Sequence, residues 1–254
     1  MPETANGNVT ANLSEGINTI SFYHPAQNSL PSDLLDQLCK KIEEAGNDAG
    51  TRVILLKSEG DRTFCAGASF DELLQIKDKQ AGAVFFSGFA RVINACRKSS
   101  KIIIARVQGK AVGGGVGLAA AADYCLATQA ASIKLSELAI GIGPFVVGPA
   151  IERKIGSAAF SQLAIDAGSW RNADWAKRKG LFAEVHEEAA GMDESVARLA
   201  NSLAHSNPAA MADLKKVFWK GTEDWDSLLH ERAVISGRLA ISAFTKAAIA
   251  GFKK

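Results

Sequence analysis

The chain predicts an α/β fold with a parallel sheet at its centre and a helical C-terminal region. Three observations lead there. Two short continuous apolar runs, RVILLK at Arg52–Lys57 and KIIIARV at Lys101–Val107, have strand length without polar alternation, as in strands covered on both faces. Helical patterns lie between and after them, which implies crossover connections on one sheet. From Met192 onward strand signals stop, and Met192–Ala204, Pro208–Phe218 and Trp225–Ala250 read as helices anchored by Leu, Met, Phe and Trp. The chain of 254 residues divides on this reading into a core over 1–191 and a helical region over 192–254.

Taken in order, Asn8–Leu13 and Ile17–Phe22 carry β-branched residues around Ser14-Glu15-Gly16, a hairpin signal. His24-Pro25-Ala26-Gln27-Asn28 is turn-like. Ser29 or Ser32 then caps a helix whose Leu34, Leu35, Leu38 and Ile42 fall at helical spacing, with Gly46 and Gly50 punctuating its end. Glu59–Gly67 reads as a loop, and Phe70–Ile76 and Ala83–Ala95 as helices. Gly109–Gly117 is glycine-dense and leads into a helical stretch at Leu118–Ala122. Asp123–Ala127 and Ser132–Leu135 are short strand candidates. Asn207-Pro208 is a cap followed by proline at the first helical position.

Composition narrows the function. A formal net charge of +2 with no Lys/Arg run gives nucleic-acid binding no electrostatic support. The four cysteines, Cys39, Cys65, Cys96 and Cys125, form no CxxC pair and no zinc-ligand spacing, so they read as reduced, buried thiols of a cytoplasmic protein with no metal site. Met1–Asn8 lacks the features of a secretory signal. No apolar stretch of about 18 residues stands out as a membrane span. The histidines (His24, His186, His205, His230) pair with no nucleophile in a recognisable signature. Asp123 and Trp219 read as structural.

Two glycine segments carry the chemistry. Phe64-Cys65-Ala66-Gly67-Ala68-Ser69-Phe70 follows the first buried strand, and Gly109-Lys110-Ala111-Val112-Gly113-Gly114-Gly115-Val116-Gly117 follows the second. Small residues at such strand ends let a ligand approach the backbone, and two converging N–H groups make an oxyanion hole. Either segment alone is better explained by turns and close helix–strand packing. Neither contains GxxxxGK[ST] or GxGxxG.

Together, in this order and spacing, the segments resemble the crotonase superfamily of enoyl-CoA hydratases and isomerases. FCAGASF is similar to its F-x-A-G-A-D-L segment, and GKAVGGGVGLAAAAD to its G-x-A-x-G-G-G segment with a downstream Asp at Asp123. HPAQNSL resembles its P-x-x-x-N-A-L segment, one residue short, and LSELAIGIGP its P-E-x-x-L-G-x-x-P segment. The similarity runs from about Val9 to Phe252.

The resemblance implies a crotonase-like ββα spiral, and a homotrimer or dimer of trimers built through the C-terminal helices. It implies an acyl-CoA substrate, with no cofactor beyond the coenzyme A of that substrate, and neither a nucleic-acid partner nor a membrane. The amides of Ala66 and Gly114 would hold the thioester oxygen, and Ala66, Gly67, Ala68 and Ser69 would line the pantetheine channel. Asn28 would lie near the adenine. Lys253 and Lys254 stand where the family often places a basic group near the CoA phosphates, although a solvated tail is the preferred reading. Glu137 would be the catalytic acid or base.

Two departures bear on the reaction. The position of the family's second Glu is Gly117 here, and Ser69 replaces an Asp, with Asp71 two residues later. Gly143-Pro144-Phe145-Val146-Val147 is bulkier than the family's stretch, which implies a reshaped acyl pocket. One carboxylate suffices for a 1,3-proton shift, so Δ3,Δ2-enoyl-CoA isomerisation is favoured. Hydration is the alternative, with Asp71 or Glu72 as the nearest substitutes for the missing acid. Thioester hydrolysis and decarboxylation also occur on this scaffold with a single acid, and a non-catalytic CoA- or RNA-binding role stands below catalysis.

Overall fold

The computed structural model describes residues 7–251; Lys253 and Lys254 lie outside the described residues. The hairpin signal is borne out: β1 (Asn8–Ser14) pairs antiparallel with β2 (Ile17–Tyr23), and Glu15 and Gly16 turn the chain at positive φ. The two apolar runs form β3 (Val53–Ser58) and β5 (Ile102–Val107), which pair in parallel. With β7 (Tyr124–Thr128) and β10 (Glu184–His186) they complete a six-stranded sheet ordered β1-β2-β3-β5-β7-β10, parallel from β2 onward.

A second sheet runs beside the first. It contains β4 (Thr63–Cys65), β6 (Lys110–Val112), β8 (Ser132–Lys134) and β9 (Arg171–Asn172), in that order. Each of β3, β5 and β7 is therefore followed at once by a short strand in the other sheet, then by helix. That repeat is the ββα spiral. It also corrects the expected loop over Glu59–Gly67, which contains β4. Such short strands carry too few residues for alternation to show in sequence.

The first helix, α1 (Ser32–Asn47), buries Leu34, Leu35, Leu38 and Ile42 as expected. Neither Ser29 nor Ser32 caps it through a side chain. Instead Glu72, from α2 (Phe70–Gln75), reaches across and accepts hydrogen bonds from Ser32 N (3.0 Å) and Ser32 Oγ (2.6 Å). This places a carboxylate at the positive end of α1. The long α3 (Lys79–Lys98) begins earlier than the sequence indicates because Asp78 caps it, its Oδ1 accepting from Ala81 N at 2.8 Å. The wholly buried α4 (Gly114–Ala121) follows β6. Helices α5 (Gly148–Ile165) and α6 (Ala173–Arg178) were not expected, and Gly156 breaks the regular dihedrals of α5.

In the C-terminal part, α7 (Ala189–Ala204) covers the second face of the large sheet, its Met192, Val196 and Ala200 packing on Val53, Ile104 and Leu126. Next come α8 (Pro208–Phe218), α9 (Trp225–Ala240) and α10 (Ala243–Gly251). The expected single helix over Trp225–Ala250 is thus two helices, bent by 71°. The break falls at Ser242, whose Oγ accepts from Thr245 N at 3.2 Å and competes with helical bonding. Among the described residues no single helix is long and apolar enough to cross a membrane.

One buried ion pair ties α8 to the core. Lys215 donates to Asp123 Oδ2 at 2.6 Å, and both side chains are only 3% exposed. Asp123 also accepts from Ile103 N and from Trp219 Nε1, each at 2.8 Å, so its carboxylate is fully solvated by protein. Asp123→Ala should destabilise the protein by about 3–5 kcal/mol, because Lys215 is left buried without its counter-charge. Lys215→Met should cost less, since Asp123 keeps two donors. Urea unfolding of the two variants checks this order.

Candidate active site

The amides of both glycine segments divide sharply into used and unused. In the first segment Ala66 N donates to Gln27 O (3.2 Å), Gly67 N to Cys65 Sγ (3.4 Å) and Ser69 N to Leu30 O (3.3 Å). Between them Ala68 N has no acceptor among the described residues. In the second segment Gly113 N donates to Lys134 O (2.9 Å), whereas Gly114, at the first position of α4, has no acceptor for its N–H among the described residues. The expected donor Ala66 is therefore corrected to Ala68: the Ala66 amide is already committed to Gln27. Left-handed Gly67 (φ +92°) turns the chain so that the next amide points away from those partners.

The two segments touch. A methyl group on Gly67 would lie 3.0 Å from Val112 O and 3.4 Å from Gly114 N. A methyl on Gly114 would fall 2.2 Å from Cζ of Phe89, so the second segment can come this close only as glycine. Ala68 and Gly114 line one cavity of about 300 Å³. Its walls are apolar, with Phe70 and Leu73 from α2, Phe85, Phe86 and Phe89 from α3, and Phe145, Val146 and Val147 ahead of α5.

Glu137 faces the same cavity. It follows β8 and opens a 3-10 turn at Leu138–Ile140, its carbonyl accepting from Ile140 N (3.2 Å) and Ile142 N (3.0 Å). Its Oε1 would lie 2.8 Å from a methyl on Gly113, which puts the carboxyl one residue from the free Gly114 amide. Although the residue as a whole is half-buried, Oε2 is shut off from solvent and has no hydrogen-bond partner. That desolvation pushes the carboxyl up to about 7, only slightly offset by its own backbone N–H.

The remaining expected residues are placed as follows. Ala66, Gly67, Ala68 and Gly114 line the cavity; Ser69 and Asn28 are not among its walls. Ser69 caps α2, its Oγ accepting from Glu72 N at 3.3 Å. Asn28 is buried with positive φ, and its side chain donates to Glu59 O and Thr63 O, each at 2.8 Å. Glu72 is held at the start of α1, and Asp71 is exposed and also outside the cavity. Cys65 is fully buried with its thiol pushed up to about 12 by desolvation, so it acts as packing and as the acceptor for Gly67. Sequence reasoning missed Lys134, the last residue of β8, and Ser136 just after it, both of which line the cavity.

Two free backbone donors beside a buried carboxyl, on a ββα spiral, are an arrangement able to hold an oxyanion while a proton moves. The chain belongs to the enoyl-CoA hydratase/isomerase family, whose model matches residues 12–245. It is 29% identical over 201 residues to a probable enoyl-CoA hydratase of Bacillus subtilis, covering 79% of this chain and 77% of that protein. It is 31% identical over 201 residues to the mitochondrial methylglutaconyl-CoA hydratase of Rattus norvegicus, covering 78% of this chain and 63% of that protein. In fold it is similar to the crystal structure of enoyl-CoA hydratase from Bacillus halodurans, with TM-score 0.88 and 21% identity over 96% of this chain and 99% of that one. This is an acyl-CoA enzyme of the crotonase superfamily.

Burial of Glu137 has a cost that depends on pH. Its folded pKa of about 7 lies above the unfolded value of 4.5. Below the lower value it is protonated in both states and costs nothing. Between the two values the unfolded chain ionises while the folded protein keeps its proton, so stability falls as pH rises toward 7 and the loss is complete above it. Glu137→Gln should therefore match wild type near pH 4 and exceed it by on the order of 3 kcal/mol near pH 8. Unfolding curves at the two pH values check the sign.

Proposed function

We propose that the protein catalyses a 1,3-proton shift on a 3-enoyl-CoA thioester. Glu137 takes a proton from C2 as the thioester oxygen gains negative charge between the amides of Ala68 and Gly114. The resulting dienolate is reprotonated at C4 by the same carboxyl, and the double bond moves to C2–C3. Proton and electrons balance within the substrate, so no water and no cofactor beyond the coenzyme A of the thioester enters. A base whose pKa is near neutrality can both accept and return that proton.

One observation carries this reading: Glu137 is the one carboxylate lining the cavity among the described residues. At Gly117, the position of the family's second Glu, a methyl would meet Val147 Cγ1 at 2.5 Å. Val147 thus occupies the space a second acid would need, and neither Asp71 nor Glu72 lines the cavity to replace it. Hydration is the second reading, favoured by the hydratase names of the relatives. Assembly as a homotrimer or dimer of trimers in the cytoplasm belongs to the same proposal; Leu214, Val217 and Phe218, exposed on α8, give the assembly an apolar face.

Glu137→Gln should abolish turnover while CoA-thioester binding persists; a variant with near wild-type activity would refute the role of Glu137. On one enzyme preparation, isomerisation of a 3-enoyl-CoA should outpace hydration of crotonyl-CoA, and the opposite order would establish hydration instead. Gly117→Glu alone should lower the melting temperature because of Val147, with hydration emerging only when Val147→Gly is added. Thermal melts and the same two-substrate assay test both steps.

A further inference from the structure

Glu137 has no side-chain anchor. Its Oε2 lacks a partner, so the backbone of the turn that carries it must set its position. That turn closes on Gly141, a left-handed residue (φ +79°) whose N–H bonds back to Leu138 O at 3.0 Å. Leu138 and Ala139 are exposed and give the turn little packing of their own.

The C-terminal helix α10 supplies what the turn lacks. Thr245 is 0% exposed, and its Oγ1 donates to Gly141 O at 3.2 Å. Ser242 Oγ donates to Thr245 Oγ1 at 3.1 Å, which orients that hydroxyl toward the carbonyl. The Phe244 ring closes the other side, since a methyl on Gly141 would lie 2.4 Å from its Cδ1. The sequence thus spends a buried hydroxyl pair, about 100 residues downstream, on one carbonyl of the acid-bearing turn.

We infer that Thr245 is a positioning residue: through its hydrogen bond to Gly141 it fixes the turn that presents Glu137 to the substrate. The inference rests on the reading that Glu137 carries the proton. Displacing a reacting group by about 1 Å costs on the order of 100-fold in rate, so a modest loosening of this turn is visible in turnover. It also admits water to Oε2, which returns the carboxyl toward the ordinary range. Lys134 is the other titratable side chain lining the cavity, and it projects from β8, which α10 does not hold.

Thr245→Val keeps the shape and removes the donor. Expected is a fall in kcat of about 10- to 100-fold with KM nearly unchanged, and an acid limb of the kcat profile moved to lower pH. Thr245→Ser should restore both. Titration of the Glu137 carboxyl by carbon NMR in selectively labelled protein reads the same shift without turnover. Wild-type kcat and titration in Thr245→Val, with only the melting temperature lowered, would overturn the inference. If that variant does not fold, Ser242→Ala carries the test, with a smaller shift in the same direction expected and no shift overturning it. Glu137→Gln run alongside separates the two ideas: activity in that variant defeats the proposed function, while the carboxyl titration still reports whether Thr245 positions Glu137.

Discussion

The structure depends on two backbone N–H groups being left without partners. A buried unpaired amide costs about 1–3 kcal/mol, so a chain retains one only where the surroundings impose it. Here they do. Gln27 O, Cys65 Sγ and Leu30 O satisfy the neighbours of Ala68 one by one, and Lys134 O satisfies the neighbour of Gly114. What is left over at the cavity is the Ala68 amide, with a satisfied amide on either side, and the Gly114 amide, which follows a satisfied one. Pre-organisation of this kind is what lets an oxyanion be stabilised without reorganising the donors. The paired strands of the spiral deliver it, because β4 and β6 pair in parallel and bring their C-terminal ends together.

Glu137 is the counterpart of those amides and obeys the opposite rule. The amides are free to bind negative charge, whereas the carboxyl is kept from bearing it easily. Phenylalanines from α2 and α3 and the Phe145–Val147 stretch give the cavity apolar walls, which raise the carboxyl to about 7. A carboxylate with an ordinary pKa would be a weaker base. One made much more basic would stay protonated at neutral pH and could not accept a proton. Occupation of the Gly117 side by Val147 serves the same end, since a second carboxylate nearby would add charge repulsion and draw in water.

Much of this was legible in the residues, and the limits have physical causes. The strands at 52–57 and 101–107 were legible because burial on both faces leaves an unbroken apolar run. The glycine segments were legible because only glycine tolerates the approach of Gly114 to Phe89. Glu137 was legible only through resemblance, since Ser136-Glu137 looks like any helix start. The choice between Ala66 and Ala68 was not legible at all. It turns on an acceptor 39 residues upstream of Ala66, at Gln27, which only the folded chain brings near. Glu72 was misread for a similar reason: its partner, Ser32, is 40 residues away. The bend between α9 and α10 was hidden because the apolar pattern continues through Ile241 while Ser242 breaks the hydrogen bonding.

The C-terminal helices therefore meet the elements around the cavity from two directions. Helix α4 begins with the Gly114 amide and ends just before Asp123, which Lys215 of α8 and Trp219, directly after that helix, clamp. The turn bearing Glu137 is met by α10 through Thr245. A donor and an acid arising from different strands must keep a fixed separation if a proton and a charge are to move together. Local hydrogen bonds cannot set that separation, because each element closes on itself. Long-range ties can, and α8 and α10 place one on each element.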